Sequence, residues 1–132
     1  MGRVEVIVVD THVLIWWTNA PHKLAPSARE ALEKTEVVAV SVITGWEIGV
    51  LARRKRIEIE GDALSWMRNL EAGRNLLILP VTLEISAQAA EWHEVLRDPI
   101  DCLIAATALA HNAPLITKDD RIRTSGVVET IW

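Results

Sequence analysis

Phenylalanine and tyrosine are absent from this chain, and six tryptophans carry all of its aromatic surface. There is one cysteine, Cys102, which excludes an internal disulfide and fits a reducing compartment. Charge-free stretches such as Val37 to Trp46 fall short of the roughly 18 to 20 apolar residues that a membrane span requires. Arg3, Glu5 and Asp10 interrupt the first apolar stretch, so no signal peptide is expected, and the expectation is a cytoplasmic protein with no membrane partner. An excess of positive charge is missing as well. The formal net charge is −4, without the basic footprint of a protein that holds nucleic acid by simple electrostatics.

What is present is 50% apolar residues in a chain of 132, enough for the core of one domain and too little for a second, so residues 1–132 are expected to form a single domain. The organising stretch is Val4 to Trp17. Val6 to Val9 is a continuous β-branched run, the pattern of a strand buried on both faces in a parallel sheet. Asp10 ends it and a new apolar segment follows at once, which puts a carboxylate at the carboxyl end of a central strand, the edge where open α/β sheets bind ligands. Asp10 is also a good helix cap, and that role alone is enough to explain it.

In order along the chain, helices are expected over Thr11 to about Asn19, Ala25 to Lys34, Ile43 to Arg54 and Asp62 to Glu71, the last closed by Gly73. A long helical stretch follows from Thr82 to Leu96, and another from Pro99 to His111. Between them fall four further strand candidates: Val37 to Ser41, Leu76 to Leu79, the LIT of residues 115–117, and VVETI near the carboxyl end. Strands alternating with helices predict an α/β protein with a mostly parallel sheet of about five strands, flanked by helices on both faces. The basic run Arg53 to Arg56 reads as a solvated helix end favoured by the macrodipole.

Of the six aspartates, Asp10, Asp98, Asp101, Asp119 and Asp120 stand where a strand ends or a helix begins. Crossover helices run antiparallel to the strands they cover, so helix amino termini and strand carboxyl ends share one edge. Asp10 and Asp119 follow strands, Glu47 is expected in the first turn after the second strand, and Asp101 in the first turn of the helix leading to the fourth. Thr44 with Glu47 matches a capping box, and Asp98, Pro99 and Asp101 match a helix start, so each acid has a local explanation. Four acids reaching one edge from separate segments have none, because clustered carboxylates repel without a cation. An all-oxygen set suits Mg²⁺ or Mn²⁺, and such ions reverse the local field and attract phosphate.

These residues carry a resemblance. IVVDTHVLIWW, the WEI of Trp46 to Ile48, RDPIDCLIAATAL from Arg97 to Leu109, ITKDD from Ile116 to Asp120 and the terminal ETIW together resemble the PIN-domain nucleases, in particular VapC-like toxins of toxin-antitoxin pairs. The resemblance implies a PIN-like fold and a Mg²⁺- or Mn²⁺-dependent endoribonuclease whose products carry 5'-phosphate and 3'-hydroxyl ends. It also implies an RNA substrate, a cognate antitoxin and a homodimer. The metal-binding and catalytic positions it implies are Asp10, Glu47, Asp101 and Asp119, with Thr11 and Thr117 as supporting hydroxyls and Asp98 and Asp120 as further acids that cap or assist.

The chain departs from the family pattern at Ile100 and Cys102, where many relatives carry Phe and Arg, and at Leu96, where many carry His. Cys102 is expected in the core and His12 in a structural role. Trp16 and Trp17 point about 100° apart on one helix, so at least one is a candidate for a dimer or antitoxin contact, the alternative being that neighbouring helices absorb both. Three other classes share part of this pattern. A haloacid-dehalogenase-type phosphotransferase needs a second Asp where His12 stands, and a response-regulator receiver needs an Asp where Pro80 follows the third strand. A non-catalytic PIN-like module that binds RNA or a partner keeps the same acids without turnover.

Overall fold

The computed structural model describes residues 5–132; Arg3 and Val4, which enter the reading of the first apolar stretch, lie outside them. Strand β1 (Val6–Val9) is central. It pairs in parallel with β2 (Val37–Ser41) on one side and β4 (Leu115–Ile116) on the other, while β3 (Leu77–Leu79) and β5 (Thr130–Ile131) complete the order β3-β2-β1-β4-β5. All four pairings are parallel, as the unbroken apolar runs predict. Alternate residues of β1 feed two cores. Ile7 and Val9 pack with α1 (Thr11–Asn19), α2 (Pro26–Lys34), α3 (Ile43–Arg53) and α4 (Ala63–Arg74). Val8 packs with α5 (Leu83–Glu91), α6 (His93–Leu96), α7 (Pro99–Ala110) and α8 (Asp120–Ser125) on the other face. Val8 and Val9 are 0% exposed, and burying a side chain of that size stabilises by about 1.5–3 kcal/mol.

The strand order reverses between β1 and β4, and in such sheets the crevice beyond the carboxyl ends at that point receives ligands. Asp10 leaves β1 and Thr117 to Asp119 leave β4, so both sides of the crevice are supplied by these two segments.

Several local expectations change. The helix expected to stop near Glu71 runs to Arg74, and Gly73 lies inside it; Asn75 closes it instead, at φ 54° in the left-handed region that Asn tolerates. The stretch from Thr82 to Leu96 is two helices, because Trp92 turns with ψ 4° between α5 and α6. Arg97 then ends α6 at φ 66°, ψ −50°, and the Leu96 carbonyl accepts the Asp98 N–H at 2.7 Å. That bond across one residue makes a γ-turn of the rare, positive-φ kind. It turns the chain so that Asp98 caps α7 through the N–H groups of Ile100 (2.8 Å) and Asp101 (3.4 Å). No helix among the described residues is long and apolar enough to cross a membrane.

Candidate active site

Asp10 both caps α1 and lines the cleft. Its Oδ1 accepts the N–H of Val13 at 2.9 Å, which starts α1. Its Oδ2 accepts the hydroxyl of Thr117 from the far side of the crevice. The Thr117 oxygen in turn accepts the backbone N–H of Asp119 at 3.0 Å. Asp119 Oδ1 accepts the N–H of Ile122 at 3.1 Å and starts α8. One buried hydroxyl therefore sets the relative position of the carboxylates that leave β1 and β4.

Thr44 does not form the expected capping box with Glu47. Its hydroxyl is buried against that of Thr11 at 3.1 Å, and the start of α3 has no side-chain cap. The helix begins at Ile43, so Glu47 stands two residues further in than the capping-box pattern implies. It reaches the same place nonetheless. Asp10, Glu47, Asp101 and Asp119 all line one cleft of about 420 Å³, with Asp98 at its rim and Ile104 on its floor. Thr11 lines it too, whereas Thr117 lies behind it, fully buried. Asp120 is not among the lining residues; it is exposed and 3.5 Å from Arg123 on its own helix.

The electrostatics of the cleft follow from this crowding. The carboxyl of Asp101 is pushed up to about 7, first by burial and then by the charges of Asp98, Asp119, Glu47 and Asp10. Burial also raises Asp10, with Glu47 adding to it; the hydrogen bonds from Thr117 and Val13 and the nearby His12 pull the other way. Burial pushes the Cys102 thiol up as well, which suits a core residue and not a nucleophile. Leu96 is buried beside it in the same core. The basic run Arg53 to Arg56 is exposed at the carboxyl end of α3, away from the helix end near the acids, and makes no ion pair among the described residues.

A divalent cation fits this donor set by chemistry: four carboxylates, hard oxygen donors, crowded into one cleft. Among the described residues no three His, Cys, Asp or Glu side chains already enclose a common point. Asp10 and Asp119 each hold one oxygen against a helix start. Each carboxylate oxygen engaged in this way retains a second lone pair.

The cleft is also lined by residues that local sequence patterns do not assign to it: Trp16 and Lys118, with His12. Trp16 and Trp17 are both half-buried against the core, and Arg74 covers Trp17 at 4.9 Å. Lys118 was legible only as the residue between Thr117 and Asp119, both of which face the crevice.

A central parallel strand ending in Asp, with three further acids brought to its edge, is the arrangement that the sequence resemblance implies. The chain belongs to the PIN domain family, whose profile matches residues 7–126. Within it the chain is VapC-like: it is 34% identical to Ribonuclease VapC22 of Mycobacterium tuberculosis over 119 residues, 89% of this chain and 90% of the relative. Among solved structures it is similar to VapBC-5, a toxin-antitoxin system of M. tuberculosis, at 26% identity and TM-score 0.59, covering 95% of this chain and 96% of that one. It shares the fold of VapBC2 from Rickettsia felis bound to a promoter DNA fragment, with TM-score 0.68 at 19% identity over 95% and 96% of the two chains.

Proposed function

We propose that this chain is a metal-dependent endoribonuclease and the toxin of a toxin-antitoxin pair, acting on RNA in the cytoplasm. The observation that carries the reading is the convergence of Asp10, Glu47, Asp101 and Asp119 from separate segments on one cleft. The ribonuclease name of the VapC22 relative and the toxin-antitoxin description of VapBC-5 support it.

Asp10, Glu47, Asp101 and Asp119 would hold one or two Mg²⁺ or Mn²⁺ ions, with Thr11 and Asp98 close by and Thr117 fixing the plane of Asp10. Bound there, such ions supply Lewis-acid polarisation of the phosphate and lower the pKa of water. Lys118 at the rim offsets part of the charge of the incoming phosphodiester. Water attacks phosphorus, the bond to O3' breaks and the proton is passed to that oxygen, leaving 5'-phosphate and 3'-hydroxyl ends. No side chain is needed as nucleophile.

The partners in this reading are RNA, a cognate antitoxin and a second copy of the chain. An exposed apolar groove between α3 and α4, lined by Val42, Trp46 (59% exposed) and Leu64 (68%), supports a protein partner. It does so better than the half-buried Trp16 and Trp17. Expression of the chain alone is expected to arrest growth. Folded Asp10→Asn should abolish the arrest, and co-expression of the neighbouring antitoxin should relieve it; arrest by a folded variant lacking Asp10 and Asp101 contradicts the reading.

A further inference from the structure

Trp16 and His12 line the cleft beside the acids and take no part in the reaction above. Trp16 is held from several sides. His12, one turn earlier on α1, lies with its ring centroid 5.9 Å from that of Trp16 at a tilt of 55°. Trp132 packs beside it at 5.8 Å and 49°. The ammonium of Lys118 stands 5.8 Å from the ring centroid. Trp16 also packs against the core while lining the cleft, so its position is fixed before any ligand arrives. Trp17 has no such place, being covered by Arg74 and outside the cleft.

A fixed indole beside a cation and a row of acids is matched to a ligand with a flat π-face and an adjoining anion. A nucleotide has both. Lys118 is exposed on a flexible four-carbon stem, and its contact with the half-buried indole at 5.8 Å is weak compared with a stacked base. A base can therefore take its place on the indole while the ammonium moves to the neighbouring phosphate. Within a duplex both faces of a base are already stacked, so only an unpaired base can use the platform.

The geometry points to Trp16 as the stacking platform for an unpaired nucleobase beside the scissile phosphate, with Lys118 binding the adjacent phosphate. This rests on the ribonuclease reading of the same cleft. It adds a substrate-contacting residue to that reading.

The test is equilibrium binding, by fluorescence anisotropy with Ca²⁺ in place of Mg²⁺, of three probes: a short unstructured RNA, an abasic strand of the same length, and the duplex. The wild type should prefer the RNA to the abasic strand by roughly 5- to 100-fold. Trp16→Leu should lose that preference and Trp16→Phe should keep most of it. Lys118→Gln should weaken both strands and lower the salt-dependence slope by about 0.7. Because Trp16 also packs in the core, each variant is first shown to melt cooperatively. A second measurement uses only the wild type: bases are removed one at a time from a cleaved RNA, and removal beside the cut should raise KM far more than removal elsewhere. Trp16→Leu keeping the full base preference, a flat abasic scan, or duplex bound as tightly as single strand overturns the proposal. A wild type that cleaves RNA yet gives any of these results defeats the stacking role alone. A wild type that binds no RNA defeats the ribonuclease reading with it.

Discussion

Asp10 and Thr117 are 107 residues apart in the chain, yet the hydroxyl of one donates to Oδ2 of the other. The same hydroxyl accepts the N–H of Asp119 at 3.0 Å, so a single oxygen ties the loop after β1 to the loop after β4. Partners that orient metal-binding groups in this way typically matter by about 10- to 100-fold in affinity or activity. Thr117→Val keeps the shape and removes the hydroxyl. It should weaken Mn²⁺ binding by about that factor in a calorimetric titration, while the protein stays folded. Unchanged affinity would show that Asp10 is held by its Val13 bond alone.

The charge crowding predicts how stability depends on pH. Asp101 has a folded-state pKa of about 7 against an ordinary 3.8, so between those values the folded protein holds more protons than the unfolded chain. Stability must then fall as pH rises from about 4 to about 7 and level off above that; Asp10, also raised, acts in the same direction. In a chelator, Asp101→Asn should flatten the dependence and melt above the wild type at pH 8. Mg²⁺ or Mn²⁺ should raise the wild-type Tm at that pH, because the ion binds only the folded state, and about 2.7 kcal/mol is available at one hundred times Kd. Asp10→Asn combined with Asp101→Asn should remove most of that shift. A full shift in the double variant places the cation elsewhere.

Arg97 gives a test of the turn that delivers Asp98 and Asp101. Its φ of 66° is costly for a residue with a Cβ and is worth about 1–3 kcal/mol of local strain. Arg97→Gly should raise Tm and Arg97→Val should lower it. If both destabilise equally, the turn is held by the arginine side chain and not by backbone geometry.

Much of the site was legible in the sequence because its ingredients are local. The β-branched run Val6 to Val9, the Asp that ends it and the Asp-Pro start of α7 are patterns of neighbouring residues, and topology alone sends their acids to one edge. What was not legible depends on contacts between distant segments. Thr44 reads locally as a cap, but its hydroxyl meets that of Thr11, 33 residues away. Trp16 reads, like Trp17, as either a partner contact or a packed helix residue, but its surroundings come from Lys118 and Trp132 at the other end of the chain. The break at Trp92 interrupts a stretch whose helix-forming residues continue on both sides, so propensity gives no sign of it.

Hydrolysis itself is the most direct measurement. With single-stranded RNA and purified protein, the initial rate of cleavage should be negligible in a chelator and restored by Mn²⁺ or Mg²⁺. It should fall to the chelator level in Asp101→Asn that is shown by its melting curve to be folded, and the wild-type products should carry 5'-phosphate ends. Cleavage that persists in the chelator, or in folded Asp101→Asn at the wild-type rate, would contradict the assignment of these four acids to a metal-dependent ribonuclease site.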